Sequence, residues 1–249
     1  MSEVEIVSRT DVGLIRNHNE DRLAVFQDKG LVLLADGMGG YNAGEVASQL
    51  VIDTVSEQLL SMHEHLNGLI GKKEIVSAVE LSNLAIFDAV EKNSELNGMG
   101  TTLVLAVFHG HKARFAHIGD SRLYRFRDGD LQQLTSDHSM LQGLIDQGVF
   151  ESEEEAIDAG VPSSVLTRGL GIEYDIEVDY REEDVHEGDI YLLCSDGLSG
   201  MIPDEAIYSV LDSLSDDLPG AADLLTKLAL DNGGRDNISL ILVQCRNGK

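Results

Sequence analysis

The sequence predicts an α+β fold in which antiparallel sheets pack on each other with helices outside. Three observations carry that expectation. Between residues 101 and 134, short runs rich in β-branched and aromatic residues follow one another with only turn residues between them. This is the grammar of a meander and not of alternating βαβ units. Two long stretches with helical spacing precede that cluster, and further strand-like runs follow it between helices. Strands grouped together and helices grouped apart are the mark of an α+β arrangement.

Taken in order, Leu31–Ala35 is a continuous apolar run and reads as a buried strand. Asn42 follows as a helix cap, with Glu45 three residues on to complete a capping box. Ala43, Ala47, Leu50, Val51, Thr54, Val55 and Leu59 then recur at helical spacing, predicting an amphipathic helix over 43–60. A polar connection over 62–73 leads to a second helix at 74–92, with Val76, Val79, Ile86, Phe87 and Val90 inward. Strands are expected at 101–108, 112–118 and 122–126, separated by His109-Gly110 and Gly119-Asp120. Asp128-Gly129 is a hairpin turn into 131–134. Residues 139–171 change character: two short helical stretches flank Gly148, and an acidic run precedes a loop at 160–164. Such an excursion is either a surface insertion or a flap beside a site. Strands return at 176–180 and 190–195, helices follow at 204–214 and 219–231, and a last strand spans 238–245. Asn232-Gly233-Gly234 stops the final helix.

No Ser/Gly/Pro-rich linker divides the 249 residues, so the chain reads as one domain, 1–249, long enough to bury a sizeable core. The net charge of −26 keeps the chain soluble and opposes binding to nucleic acid or an anionic membrane. Any phosphate site must therefore be made locally positive by metal ions or arginine. Cys194 and Cys245 both lie in strand-like runs and read as inert core thiols. No signal peptide or membrane-length run is visible, which points to a cytoplasmic protein. No heptad seam or exposed apolar stripe argues against a monomer.

Five short acidic motifs carry the chemistry: Asn19-Glu20-Asp21, Ala35-Asp36-Gly37-Met38-Gly39-Gly40, Gly119-Asp120-Ser121-Arg122, Ser195-Asp196-Gly197 and Arg235-Asp236-Asn237. Asp36, Asp196 and Asp236 each abut an apolar run. Singly, each motif is a common turn; Asp128-Gly129 in this same chain is one. Together, carboxylates at the mouths of buried strands repel one another unless cations sit between them. Hard divalent cations such as Mg²⁺ or Mn²⁺ take such oxygen ligands. The chain therefore reads first as a carboxylate-bound metal enzyme.

These motifs, in this order, resemble the metal-dependent protein phosphatase family (PPM, or type 2C) in its short bacterial form. The likeness also takes in Thr10-Asp11-Val12-Gly13 with Arg16, Ala43-Gly44-Glu45, Gly100-Thr101-Thr102, Asp137-His138-Ser139 and Leu166-Thr167-Arg168. The resemblance implies a central antiparallel β-sandwich with helices on both outer faces, four layers in all, and a flap at about 139–171. It also implies a binuclear Mn²⁺ or Mg²⁺ centre. Carried over, Asp36 bridges the two ions, Asp196 and Asp236 bind the first, and the Gly37 carbonyl binds the second. Glu20 and Asp21 lie around the second ion, Asp21 through water, and Asp120 with Asp196 offers a weaker third site. Arg16 grips two phosphate oxygens. A water activated between two such cations attacks phosphorus in line, with no phosphoenzyme. The implied function is hydrolysis of phosphoserine and phosphothreonine in proteins, opposing a Ser/Thr kinase. A non-catalytic phosphoprotein-binding module and a small-phosphoester hydrolase are the alternatives.

Two positions depart from the pattern. Met38 and Tyr41 stand where relatives carry a histidine, which leaves the general acid open. The flap has Val161-Pro162-Ser163-Ser164-Val165 where relatives often have His-Pro and an asparagine. His138 is expected to anchor the flap base, His117 to be a satisfied core histidine, and His18 to be a solvent-exposed loop residue.

Overall fold

The computed structural model describes residues 3–39, 43–65, 69–162 and 165–246. The Asn42 cap, Gly40, Tyr41, Ser163 and Ser164 lie outside them. The first half of the chain runs β1 (Glu3–Asp11), β2 (Arg22–Phe26), β3 (Leu31–Ala35), β4 (Gly37–Met38), α1 (Ala43–His65) and α2 (Lys72–Lys92). There follow β5 (Gly100–Thr101), β6 (Leu103–His109), β7 (Lys112–Ile118), β8 (Arg122–Arg127) and β9 (Asp130–Gln133). The excursion carries α3 (Met140–Asp146) and α4 (Glu153–Asp158). Then come β10 (Asp179–Asp184), β11 (Ile190–Cys194), α5 (Asp196–Ser199), α6 (Asp204–Ser213), α7 (Leu218–Asp231) and β12 (Ile238–Arg246).

Two five-stranded sheets form, in the orders β1-β12-β11-β8-β9 and β10-β7-β6-β3-β2, and the small β4-β5 pair stands apart. Each of these strand pairs is antiparallel. The run Leu31–Ala35 is apolar throughout because both of its faces are covered. Leu31, Leu33 and Ala35 face α1 and α2, joining Val51, Val55, Ile75 and Val79. Val32 and Leu34 face the opposite sheet, meeting Tyr191, Leu193, Ile241 and Val243. On the far side, Leu192, Leu240 and Leu242 pack under α6 and α7. Three apolar layers thus separate four structural ones, which is the αββα sandwich expected from the sequence.

Several boundaries differ from expectation. β1 and β2 were not anticipated. Both run along sheet edges, where charged and polar residues alternate with Val4, Ile6 and Leu23. β10 starts at Asp179 rather than 176, again on an edge. α1 continues to His65, and α2 begins at Lys72, shortening the connection. The buried face of α2 is Ile75, Ala78, Val79, Ser82, Asn83 and Ile86; Val76, Phe87 and Val90 lie at its margins. The hairpin at Asp128-Gly129 holds both residues at positive φ, 51° and 74°, as a two-residue primed turn requires. Burial pushes the Cys194 and Cys245 thiols up to about 12, in keeping with inert core residues.

Candidate metal centre

The site lies at one end of the sandwich, where the C-terminal ends of β3 and β11, the N-terminal end of β12 and the β7–β8 turn converge. Asp36 leaves β3 directly. Its main chain is clamped by the motif Gly100-Thr101-Thr102: Asp36 N donates to Thr102 Oγ1 at 3.0 Å, and the Asp36 carbonyl accepts from Thr101 Oγ1 at 2.7 Å and Thr102 N at 2.9 Å. Thr102 Oγ1 is in turn paired with Ser121 Oγ at 2.7 Å. Gly37 follows in β4, paired with Thr101, and lies so close to the first turn of α1 that a Cβ there would come within 2.2 Å of the Gly44 carbonyl oxygen.

The β1–β2 loop brings Arg16, Glu20 and Asp21 to the same place. Asn237 staples that loop: its Oδ1 accepts from Glu20 N at 2.7 Å, while Nδ2 donates to the Val12 and His18 carbonyls at 2.9 and 3.0 Å. Ser195 Oγ donates to Asp21 Oδ2 at 2.9 Å and accepts from Ser239 N at 3.1 Å. Neither Asn237 nor Ser195 was named as a site residue from the sequence, although both sit inside the quoted motifs. Their task is to aim neighbours, and only the approach of distant segments makes it visible. Arg16 is found on Asp236, its Nη2 donating to Oδ2 at 2.6 Å; Asn237 N donates to the other carboxylate oxygen at 2.8 Å. His18, nearly half exposed, lies 3.1 Å from Glu20 Oε1.

Electrostatics set this cluster apart. The Asp36 carboxyl is held well above the usual carboxylate range by desolvation, then by the charges of Asp21, Asp196, Asp120 and Asp236. Asp196 is raised by the same desolvation and by Asp236. Asp21 and Asp120 are each pushed up to about 7, in both cases by burial first. Asp36 lies within hydrogen-bonding reach of both Asp21 and Asp196. Two carboxylate oxygens, Asp21 Oδ1 and Asp196 Oδ1, are buried with no hydrogen-bond partner. Oxygen-only donors, mutually repelling and partly orphaned, fit hard divalent cations. The residues thus brought together are Arg16, Glu20, Asp21, Asp36, Gly37, Asp120, Asp196 and Asp236. Away from this centre, at the base of the excursion, ligand atoms of His117, His138 and Asp179 also lie within 4.8 Å of one another.

A pH dependence follows. These carboxyls have folded pKa values above their unfolded value near 3.8, so their contribution to stability is complete below that value. It is lost as pH rises through about 7. His117 and His138, held below the ordinary histidine range, act in the opposite sense over the acid part of this range, with or without metal, so the comparison of the two states removes their effect. The gap in melting temperature between Mn²⁺-saturated and chelator-treated protein is therefore expected to widen as pH rises from about 4 to about 7. A gap that stays constant over that range would contradict the account.

The chain matches the model of the family described as Protein phosphatase 2C over residues 16–229. It is 40% identical over 235 residues to the serine/threonine protein phosphatase PstP of Mycobacterium tuberculosis, covering 94% of this chain and 44% of that protein. It thus spans less than half the length of that relative. It is 39% identical over 245 residues to the serine/threonine phosphatase stp of Listeria welshimeri, covering 95% and 94% of the two chains. Among solved structures it resembles the PstP catalytic domain in complex with two manganese ions, with a TM-score of 0.86 at 36% identity over 99% of this chain and 100% of that one. It also resembles Stp1 from Staphylococcus aureus, with a TM-score of 0.86 at 30% identity over 99% and 96%. Among the described residues, no helix is long and apolar enough to cross a membrane.

Proposed function

The chain belongs to the protein phosphatase 2C family, and from that premise we propose that it is a metal-dependent protein serine/threonine phosphatase. It hydrolyses phosphoserine and phosphothreonine in phosphorylated proteins and opposes a Ser/Thr kinase, as a cytoplasmic monomer. The chain is one catalytic domain, and the 139–171 segment is its flap. The observation that carries the reading is the pair of orphaned, buried carboxylate oxygens of Asp21 and Asp196 around Asp36, with the Arg16 guanidinium alongside. Anionic ligands awaiting cations, next to a phosphate-sized fork, suit a phosphoester and little else.

Asp36, Asp196, Asp236 and the Gly37 carbonyl would hold two Mn²⁺ or Mg²⁺ ions. Glu20 and Asp21 would stand around them, Asp21 by way of water, and Asp120 with Asp196 would take a weaker third. When bound, these ions supply Lewis acidity and bring the pKa of water towards neutrality. Arg16 supplies orientation. The Arg16 guanidinium donates to Asp236 here, and with Asp236 serving as a metal ligand it would be free to grip two phosphate oxygens. Met38 has no proton to give, so protonation of the leaving serine or threonine oxygen falls to the Asp120 side of the site.

Metal-dependent release of phosphate from a phosphothreonine peptide tests the reading, run with Mn²⁺, with Mg²⁺ and with chelator, beside a small phosphate monoester. Metal-dependent release favouring the peptide supports it. Tight phosphopeptide binding without release would make the scaffold a binding module. Equal turnover of the monoester would make it a general phosphoester hydrolase. Arg16→Ala is expected to raise KM for the peptide by roughly ten- to a hundredfold, the scale of a lost charge-assisted bidentate contact, with a smaller effect on kcat. Arg16→Lys recovers part of that loss, because a point charge cannot reproduce the fork. An unchanged KM in Arg16→Ala would remove Arg16 from the phosphate site.

A further inference from the structure

His138 is almost wholly buried, and three chain segments meet on it. Its main-chain N donates to the Gly119 carbonyl at 3.0 Å, and Gly119 N donates back to His138 Nδ1 at 3.1 Å. Its carbonyl accepts from Thr167 N at 2.8 Å, at the far end of the excursion. Its Nε2 lies 3.4 Å from Asp179 Oδ2, whose other oxygen accepts from Arg168 Nη1 at 3.0 Å. The ring stacks on His117 at 4.6 Å between centroids.

The spacing of His117, His138 and Asp179 suits a metal ion, but the proton positions do not. Because Gly119 N–H points at Nδ1, that nitrogen carries the lone pair and the proton sits on Nε2, facing Asp179. A cation on Nε2 would move the proton to Nδ1 and set two donors face to face. His117 is fixed likewise, since its Nε2 lies 3.0 Å from the Ser136 carbonyl and must donate. The cluster is therefore a relay of contacts: the Asp179 carboxylate faces His138 Nε2 at 3.4 Å without closing a hydrogen bond, and on the other side of the ring Gly119 N donates to Nδ1.

What the relay holds is the β7–β8 turn. Gly119 has φ +108°, and a Cβ there would lie 2.6 Å from the Thr102 side chain, the same threonine that fixes Asp36 N. The next residue is Asp120. We propose that His138 is a positioning residue for Asp120: it grips Gly119 by ring and main chain, and so couples docking of the 166–168 segment to the placing of the Asp120 carboxylate beside Asp196. This rests on the reading of Asp120 as a ligand to the weaker third cation. In that reading, a substrate or partner that loosens the base of the flap weakens that cation alone.

The test uses the full chain with two variants that keep opposite halves of the relay. His138→Asn retains an acceptor near the position of Nδ1 but cannot reach Asp179. His138→Gln reaches towards Asp179 but leaves Gly119 N without its acceptor. Each keeps a polar contact, so each is expected to fold. In metal-free protein, amide exchange at Gly119 should quicken by about tenfold in His138→Gln and stay within about threefold of the parent in His138→Asn, the scale of one lost hydrogen bond. In a Mn²⁺ titration followed by calorimetry, the binding event that Asp120→Asn removes should weaken by about tenfold in His138→Gln, be retained in His138→Asn, and leave the tighter events unchanged in both. Unchanged Gly119 exchange in His138→Gln overturns the proposal, as does equal weakening of every Mn²⁺ event. If Asp120→Asn removes no Mn²⁺ event, the third-cation reading fails instead, and Gly119 exchange alone decides the role of His138.

Discussion

Asp36→Asn is expected to lower metal-dependent phosphate release by at least about a thousandfold, the scale of losing a bridging ligand in a two-metal site, and at the same time to raise the melting temperature of the metal-free chain. The two effects have one cause. The Asp36 carboxyl is desolvated and faces Asp21, Asp196, Asp120 and Asp236, so in metal-free protein it is a liability. An asparagine of the same shape cannot ionise, so it escapes the cost of holding that carboxyl neutral, and it can donate to Asp21 and Asp196. For a chain of this length, about 1 kcal/mol of relief corresponds to roughly 2–4 °C. With Mn²⁺ the order reverses. The parent gains about 2.7 kcal/mol when metal stands at a hundred times its Kd, while the variant, lacking the bridging ligand, gains much less. Thermal melts with Mn²⁺ and with chelator, alongside phosphate release, check both halves. Turnover within about tenfold of the parent, or a metal-free melting temperature below it, would show that Asp36 does not lie at the centre of the cation site.

Gly37→Ala is expected to destabilise the chain by about 3 kcal/mol or more and to abolish activity at any temperature where it still folds. The objection is space. A Cβ at Gly37 would stand 2.2 Å from the Gly44 carbonyl oxygen, 2.5 Å from its carbon and 2.7 Å from the Glu20 carbonyl oxygen. All three are main-chain atoms that no rotamer change can move. Relief would have to push the start of α1 or the Glu20-Asp21 segment outward, carrying the Gly37 carbonyl off its aim. Gly143 provides the contrast. It lies within α3, its φ is not positive, and a Cβ there meets nothing within 4 Å. Gly143→Ala is therefore expected to stabilise by about 0.5–1 kcal/mol and to leave activity unchanged. Denaturant unfolding of the two variants reads both effects. Similar stability for Gly37→Ala and the parent would mean that the approach of α1 to β4 is looser than described.

The central strands were legible in the sequence because burial on two faces writes itself as an uninterrupted apolar run, as in Leu31–Ala35 and Ile190–Cys194. The strands missed or misplaced, β1, β2 and β10, all run along sheet edges. There charges such as Arg181, Glu182 and Glu183 interrupt the pattern and also guard against edge pairing with another molecule. The edge strand β9 was recovered only because Asp128-Gly129 announces its turn. At the site, each anticipated carboxylate lies at a strand mouth, and that position is written locally. The Asn237 staple, the Ser195–Asp21 bond and the hold of Arg16 on Asp236 are not. They join residues 174 to 220 positions or more apart, and local pattern has no access to such approaches. His138 was expected to steady the base of a flap. Its reciprocal grip on Gly119, the neighbour of Asp120, emerges only once the β7–β8 turn is seen against it.

Asp36 ends a strand of one sheet, whereas Asp196 and Asp236 border strands of the other, and β12 is the last of the described elements in chain order. During synthesis β2, β3, β6 and β7 can collapse against α1 and α2 before β11 and β12, the centre of the other sheet, exist. The nascent chain nevertheless cannot assemble the constellation until β12 has left the ribosome and slid between β1 and β11. A chain that stops short of Asp236 thus lacks part of the constellation by construction.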